Sequence, residues 1–370
     1  MILLFYILLF VLLFYSSVLI YFAIGFIKTQ TYYIVQNFDE QALTIIICAR
    51  NEEKNIARCL TTIIKQDYSK TKLNLILIND ASTDNTVKYA ELILKQSNIA
   101  YKIISNAEQK GKKQSITYAM QFVNTELIVM RDADTYTTTT LWLKTISDFY
   151  NETKSQLIIA PVALGNNNGL LWALQAIENN VLAVLACGSC YYKKPFLCNG
   201  ANLIFTKSIF QKVNGYTNHI NVASGDDVLF LEDVKKVKNV SINYLKSENA
   251  IVYTYPAFSF KQLINQKVRW ASKFKNNNNK LNLILAFLSF TVNVIWLFSL
   301  IIGFLMPQNS QLGLIFILFK LLIDSLLLFL ASRFLKNRSL IWYVFPVGFI
   351  YPLYASIVAL ASFFTKPKWK

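Results

Sequence analysis

The chain has 370 residues, of which 54% are hydrophobic and 14% aromatic while only 16% are charged, a balance that excludes the disordered, collagen-like and small secreted classes. Its 37 Lys and Arg against 21 Asp and Glu give a net charge of +16. The cations lie beside apolar spans, where anionic headgroups account for them, and no nucleic-acid recognition module is visible, so nucleic acid is not expected as a partner.

Met1 to Ile27 carries no charge and is longer than the roughly 20 residues that cross a bilayer core. It lacks a basic leading region and a small-residue cleavage pattern, so it reads as a retained anchor and not a signal peptide. The first cation is Lys28, which by the positive-inside rule places the N-terminus outside and the following polar block in the cytoplasm. An integral protein of the cell's inner membrane is expected.

The polar block alternates strands and helices. Leu43–Cys48, Leu73–Ile78, Tyr101–Ile104 and Glu126–Met130 are short, β-rich runs. Between them Asn55–Lys65, Asp84–Gln96 and Lys112–Val123 carry helical spacing. Strands buried on both faces with helical crossovers predict a parallel, doubly wound α/β sheet. Ligands of such sheets sit at the carboxyl ends of the strands. Ala49-Arg50-Asn51-Glu52-Glu53 follows the first strand, Asn79-Asp80-Ala81-Ser82-Thr83-Asp84-Asn85-Thr86 the second, and Arg131-Asp132-Ala133-Asp134 the later one. Each alone reads as a cap or turn; three at successive strand ends point to a nucleotide diphosphate. Asp132 and Asp134 can both face an oxygen-preferring cation, Mg²⁺ or Mn²⁺. Asp80 can accept from a base or ribose. Lys110-Gly111-Lys112-Lys113 opens a helix with cations where its amides also attract phosphate, or is a solvated basic turn.

Five cysteines in a reducing compartment predict no disulfides, and Cys187-x-x-Cys190 lacks the second pair or nearby His of a zinc site. The lone histidine, His219, reads as a surface loop residue.

The basic run through Lys261, Lys267, Arg269, Lys273, Lys275 and Lys280 leads into the apolar stretch Leu281–Met306. Gly313–Ala331 is apolar apart from Lys320 and Asp324, which are four apart on one helical face and are expected to form a salt bridge towards neighbouring helices, with a lipid-headgroup or acceptor site as the alternative. Leu340–Phe364 is uncharged but holds Pro346 and Pro352; a full crossing would put Lys366, Lys368 and Lys370 outside, so either the positive-inside rule fails at this terminus or the prolines make the segment re-entrant or interfacial.

In order, Ile45–Ile56, Asn79–Thr86, Gly111-Lys112-Lys113 and Asp132-Ala133-Asp134 resemble the motifs of family 2 inverting glycosyltransferases of the GT-A fold. Ser224-Gly225-Asp226-Asp227 resembles that family's acidic base motif, and Gln266-Lys267-Val268-Arg269-Trp270 the Q-x-x-R-W of its membrane-integrated members. The resemblance implies a Rossmann-like GT-A domain with transmembrane helices at both ends. Its expected layout is a membrane helix over 1–27, a cytoplasmic catalytic domain over 28–260, a basic interfacial helix over 261–280 and membrane segments at 281–306, 313–331 and 340–364. It further implies that Asp80 contacts the uracil or ribose, that Asp132 and Asp134 hold metal and diphosphate, and that Arg269 pairs with the diphosphate. Ala49, Asn51, Glu52, Lys112 and Lys113 complete the implied donor site. Asp227 is the implied base, with Asp226 as the alternative. Asn199, Gly200, Asn202, Gln266 and Trp270 fall to the acceptor side.

The implied reaction moves a sugar from a nucleotide donor, a UDP-sugar first among them, to a lipid or glycan acceptor. A processive polysaccharide synthase and an inactive GT-A domain acting as a membrane assembly partner remain as alternatives.

Overall fold

The computed structural model describes residues 2–34, 38–220, 222, 225–271, 280–305 and 310–364. Helix α1 (Ile2–Lys28) is followed by β1 (Leu43–Ala49), α2 (Ile56–Ile64), β2 (Leu73–Asn79), α3 (Thr86–Lys95), β3 (Ala100–Ser105), α4 (Lys112–Ala119), β4 (Leu127–Asp132) and β5 (Thr135–Tyr136). Next come α5 (Trp142–Thr153), β6 (Leu157–Ile159), β7 (Val162–Leu164), α6 (Leu170–Tyr191), β8 (Asn202–Thr206), α7 (Lys207–Lys212), α8 (Asp226–Lys235), β9 (Ile242–Tyr244), β10 (Val252–Thr254) and α9 (Phe260–Ala271). Then α10 (Lys280–Leu305), α11 (Ser310–Phe334) and α12 (Val344–Phe364) follow. Ser224, Lys273, Lys275, Lys366, Lys368 and Lys370 lie outside the described residues.

The chain divides into two compact units. One comprises Thr29–Gly165 and Cys190–Tyr255 and holds a seven-stranded sheet in the order β3-β2-β1-β4-β8-β6-β9. A three-stranded sheet, β5-β10-β7, accompanies it. The apolar runs that predict strands form them because both faces are covered: Ile45, Ile47, Leu75, Leu77 and Val129 on one face and Ile46, Ile78, Ile128 and Met130 on the other are all at most 1% exposed. The expected all-parallel sheet is corrected at one place. β8 runs antiparallel to both β4 and β6, while the remaining pairs of the seven-stranded sheet are parallel; in the small sheet β10 runs antiparallel to β5 and parallel to β7. Register matters for function: Ala49 lies opposite Asn79, Cys48 opposite Asp132 and Arg131 opposite Asn202. Three motif-bearing loops and the entry to β8 therefore share one end of the sheet.

The other unit gathers Met1–Lys28, Asn166–Ser189 and Pro256–Lys368. Among the described residues five helices are long and apolar enough to cross a membrane: Tyr6–Lys28, Leu170–Tyr191, Leu281–Ile301, Gly313–Phe334 and Arg338–Ser362. The second of these lies inside the expected 28–260 block, so α6 groups with the apolar helices instead. Its polar side chains are satisfied within that unit. Gln175 Nε2 donates to the Ala257 carbonyl at 3.1 Å, Lys267 Nζ meets Glu178 at 2.7 Å, and Asn180 Nδ2 donates to Asn337 Oδ1 at 2.9 Å. Gly188 lets α6 approach α1 closely, because a Cβ there would lie 2.2 Å from the Phe22 carbonyl oxygen. The expected Lys320–Asp324 pair is present at 2.5 Å, and Tyr15 of α1 donates to the second Asp324 oxygen at 2.8 Å. The last apolar stretch is a 3₁₀ turn, Arg338–Tyr343, continuing into α12 with Pro352 inside it.

Candidate active site

The loops after β1 and β2 brace each other. Asn51, held at φ +52°, donates its amide to Ser82 Oγ at 3.0 Å and accepts from the Thr83 amide at 2.9 Å. The Glu52 amide donates to Thr86 Oγ1 and the Glu53 amide to Asp84 Oδ2, at 2.7 and 3.1 Å. Asn51 and Glu52 thus shape the loop. Ala49 is fully buried and contributes its carbonyl to the Asp80 amide at 2.9 Å.

Asp80 ends up elsewhere than on an open nucleotide face. It is 1% exposed. Its Oδ1 accepts from the Lys110 amide and Asn106 Nδ2 at 2.8 and 2.9 Å, and its Oδ2 from the Gly111 amide at 2.9 Å. Both oxygens are engaged in holding the turn that starts α4, which is what presents Lys112. The expected solvated-turn alternative for this stretch does not survive. Lys113 is a correction too: its ammonium turns away to the carbonyls of His219 and Val222, both at 2.9 Å, and pins the segment before the base motif. His219 in turn is no bare surface residue, since its Nε2 lies 3.0 Å from the buried Asp233 carboxylate.

Lys112 is the hinge of the site. Its Nζ lies 2.7 Å from Asp132 at the end of β4 and 2.7 Å from Asp226 in the first turn of α8. Burial would lower its pKa, but the Asp132 and Asp226 carboxylates hold the ammonium well above the ordinary lysine value. Asp226 and Asp227 both sit at a helix N-terminus behind Gly225, at φ +81°, where the helix dipole favours anions. The Gly200 amide donates to Asp227 Oδ2 at 3.3 Å. A side chain at Gly200 would crowd this cluster, with its Cβ 2.9 Å from Asp226 Oδ2 and 3.2 Å from Lys112 Nζ.

Of the other acceptor-side expectations, Asn199 caps its own turn by accepting from the Ala201 amide at 3.0 Å. Asn202 is corrected to a structural role: fully buried, it donates to the carbonyls of Pro161 and Ala250 at 2.9 and 2.8 Å and accepts from Trp142 Nε1. Gln266, Arg269 and Trp270 belong to α9 in the other unit, where the Lys267 ammonium stands 4.3 Å over the Trp270 ring. Cys48 lies beside the cluster, and burial, despite the nearby Lys112, pushes its thiol up to about 12, which favours the protonated form. None of the five cysteines forms a disulfide among the described residues.

Asp132, with Asp134 in the turn that follows, offers only oxygen donors, the preference of Mg²⁺ and Mn²⁺. Asp132 and Asp226 already converge on one cation, the Lys112 ammonium. No group of three or more His, Cys, Asp or Glu that could hold a metal is found among the described residues. A divalent ion would therefore rely on two carboxylates and on oxygens brought by a diphosphate, as Mg²⁺ commonly does.

Residues 44–213 match the Glycosyl transferase family 2 model. That match covers the three strand-end loops, α4, Asp132 and Gly200. The chain is 27% identical over 144 residues to the poly-β-1,6-N-acetyl-D-glucosamine synthase of Staphylococcus aureus (strain COL), which is 38% of this chain and 34% of that protein. It is 26% identical over 128 residues to the poly(ribitol-phosphate) β-N-acetylglucosaminyltransferase TarS of Staphylococcus aureus (strain Mu50 / ATCC 700699), covering 34% of this chain and 22% of that one. The alignments thus span about a third or less of these curated relatives. Among solved structures, the mannosyltransferase PcManGT from Pyrobaculum calidifontis, in complex with GDP-Man and Mn²⁺, superposes over 97% of this chain and 98% of its own with a TM-score of 0.57 and 13% identity. The fold is therefore a mixed α/β, GT-A-like one with a parallel-rich sheet and apolar helices at both ends. Together these findings show similarity to family 2 glycosyltransferases over residues 44–213 and a shared fold.

Proposed function

We propose that this chain is an inverting glycosyltransferase that moves a sugar from a nucleotide-diphospho-sugar, a UDP-sugar first among them, to a lipid or lipid-linked acceptor at a membrane surface. The observation that carries the reading is the convergence of Lys112, Asp132, Asp226, Asp227 and Gly200 at the end of the sheet where the nucleotide-type loops meet.

Asp227 is assigned as the base. Lys112 ion-pairs with Asp226, leaving that carboxylate occupied, whereas Asp227 is held by the Gly200 and Val228 amides. It takes the proton of the acceptor hydroxyl as that oxygen attacks the anomeric carbon from the face opposite the diphosphate. The carbon–oxygen bond to the diphosphate breaks and its electrons leave with the nucleotide. A geometrically placed carboxylate base contributes roughly 10²–10⁴-fold. Asp132 and Asp134 would hold Mg²⁺ or Mn²⁺, which supplies charge neutralisation to the departing diphosphate. Lys112 adds a positive charge beside the same oxygens. Gln266, Arg269 and Trp270 are assigned by their motif to the diphosphate and acceptor sugar, Arg suiting phosphate with its planar fork.

Similarity to a poly-β-1,6-N-acetyl-D-glucosamine synthase favours, as a second reading, repeated transfer to a growing chain. The full chain in detergent, incubated with a panel of radiolabelled nucleotide sugars, Mn²⁺ and a lipid extract, separates the two. An organic-soluble labelled product is expected; a high-mass product would favour the polymerase. Product no greater than that of Asp227→Asn with every donor would overturn both.

A further inference from the structure

β4 places a cation where its alternation calls for a core residue. Leu127, Val129 and Arg131 share one face of the strand, and the first two belong to the buried apolar cluster with Leu43, Ile63 and Trp142. Arg131 is likewise 1% exposed. A buried guanidinium usually has a carboxylate beside it; among the described residues no carboxylate forms an ion pair with this one. It meets two threonine hydroxyls instead. Nε donates to Thr135 Oγ1 and Nη2 to Thr62 Oγ1 of α2, both at 2.9 Å, while Cζ stands 4.7 Å over the Trp142 ring. Nη1 is buried without a hydrogen-bond partner.

These contacts share a target. Thr135 Oγ1, while accepting from Arg131, donates to the Asp132 carbonyl at 2.7 Å. The guanidinium is thus joined covalently to one end of the turn Asp132-Ala133-Asp134-Thr135 and by hydrogen bond to the other, and it ties both to α2. We infer that Arg131 is a positioning residue, retained in the core to set the spacing of Asp132 and Asp134 for a divalent cation and a nucleoside diphosphate. This rests on the proposed donor site. A side chain kept only for packing would be replaced without loss by an apolar one of similar length, since removing a buried charge is often neutral or stabilising.

The test is Arg131→Met in the full chain in lipid nanodiscs, with Thr135→Val, which removes the relay but keeps the guanidinium, and Arg131→Lys. Binding of Mn²⁺ and of UDP with Mn²⁺ is measured by calorimetry and by the Mn²⁺ spin resonance signal, alongside thermal unfolding. Expected is an unfolding temperature for Arg131→Met equal to or above the parent's, with affinity for Mn²⁺ and UDP at least tenfold weaker, the same direction for Thr135→Val and partial recovery in Arg131→Lys. Parent-like binding in Arg131→Met overturns the inference, as does parent-like binding in Thr135→Val if Arg131→Met fails to fold. A parent that binds Mn²⁺ and UDP yet transfers no sugar would refute the proposed function and still decide the role of Arg131. A parent that binds neither refutes both.

Discussion

Gly200 is where the site tolerates least. No positive φ demands glycine there; the demand comes from the Asp226 carboxylate and the Lys112 ammonium, both of which would have to shift to admit a Cβ. Gly200→Ala is expected to lower sugar transfer by roughly tenfold or more with little change in unfolding temperature, as read by parallel activity and melting assays. A second residue-scale prediction concerns Asp84. Burial would raise its pKa, but hydrogen bonds from the Thr86 hydroxyl and amide and the Glu53 amide hold it below the ordinary carboxylate value. A depressed folded pKa means that its contribution is present above the unfolded value and is lost as pH falls through the folded one. Asp84→Ala should therefore cost about 1 kcal/mol at neutral pH, with the deficit shrinking on acidification in denaturant titrations. At this scale the strand-end position of Asp132 and the adjacency of Asp226 and Asp227 were legible, because both follow from local pattern. The partners of Asp80, Lys113 and Asn202 were not. A polar residue beside a motif reads the same whether it faces a ligand or a neighbouring carbonyl, and only the tertiary fold brings Val222 to Lys113 or Pro161 to Asn202.

Among the elements, β1 and β2 were readable because burial on both faces leaves short, nearly continuous apolar runs bounded by polar residues. Ile47→Ala, at a fully buried position of β1, should cost about 2–5 kcal/mol by chemical denaturation. β8 was not readable as an antiparallel insertion: Asn202–Thr206 is as apolar as a parallel strand, and direction is set by the long α6 excursion before it. α6 itself escaped detection as an apolar helix because Gln175, Glu178 and Asn180 interrupt its hydropathy. Each of these finds its partner in the same unit. The pairing of Glu178 also explains how the basic α9 can bury Lys267, 8% exposed, between Gln266 and Val268. Gly188→Leu should disrupt the packing of α6 on α1, seen as a lowered melting temperature in detergent.

For the whole molecule, the apolar excess and the charge of +16 separate into a sheet-bearing unit and a helical unit that five apolar helices make compatible with a membrane. Inside the helical unit Asp324 accepts from both Tyr15 and Lys320. Asp324→Asn leaves the Lys320 ammonium buried opposite a neutral group, and loss of one partner of a buried pair costs about 3–5 kcal/mol. The expected outcome is unfolding at lower detergent denaturant, restored in part by adding Lys320→Met. That polar triad has a consequence for the order of biosynthesis. Tyr15 and its acceptor stand 309 residues apart, and the whole sheet-bearing unit is translated between them. That hydrogen bond can close only after α11 has been made, so the packing of α1 against α11 is completed late in synthesis, after the chain of the sheet-bearing unit.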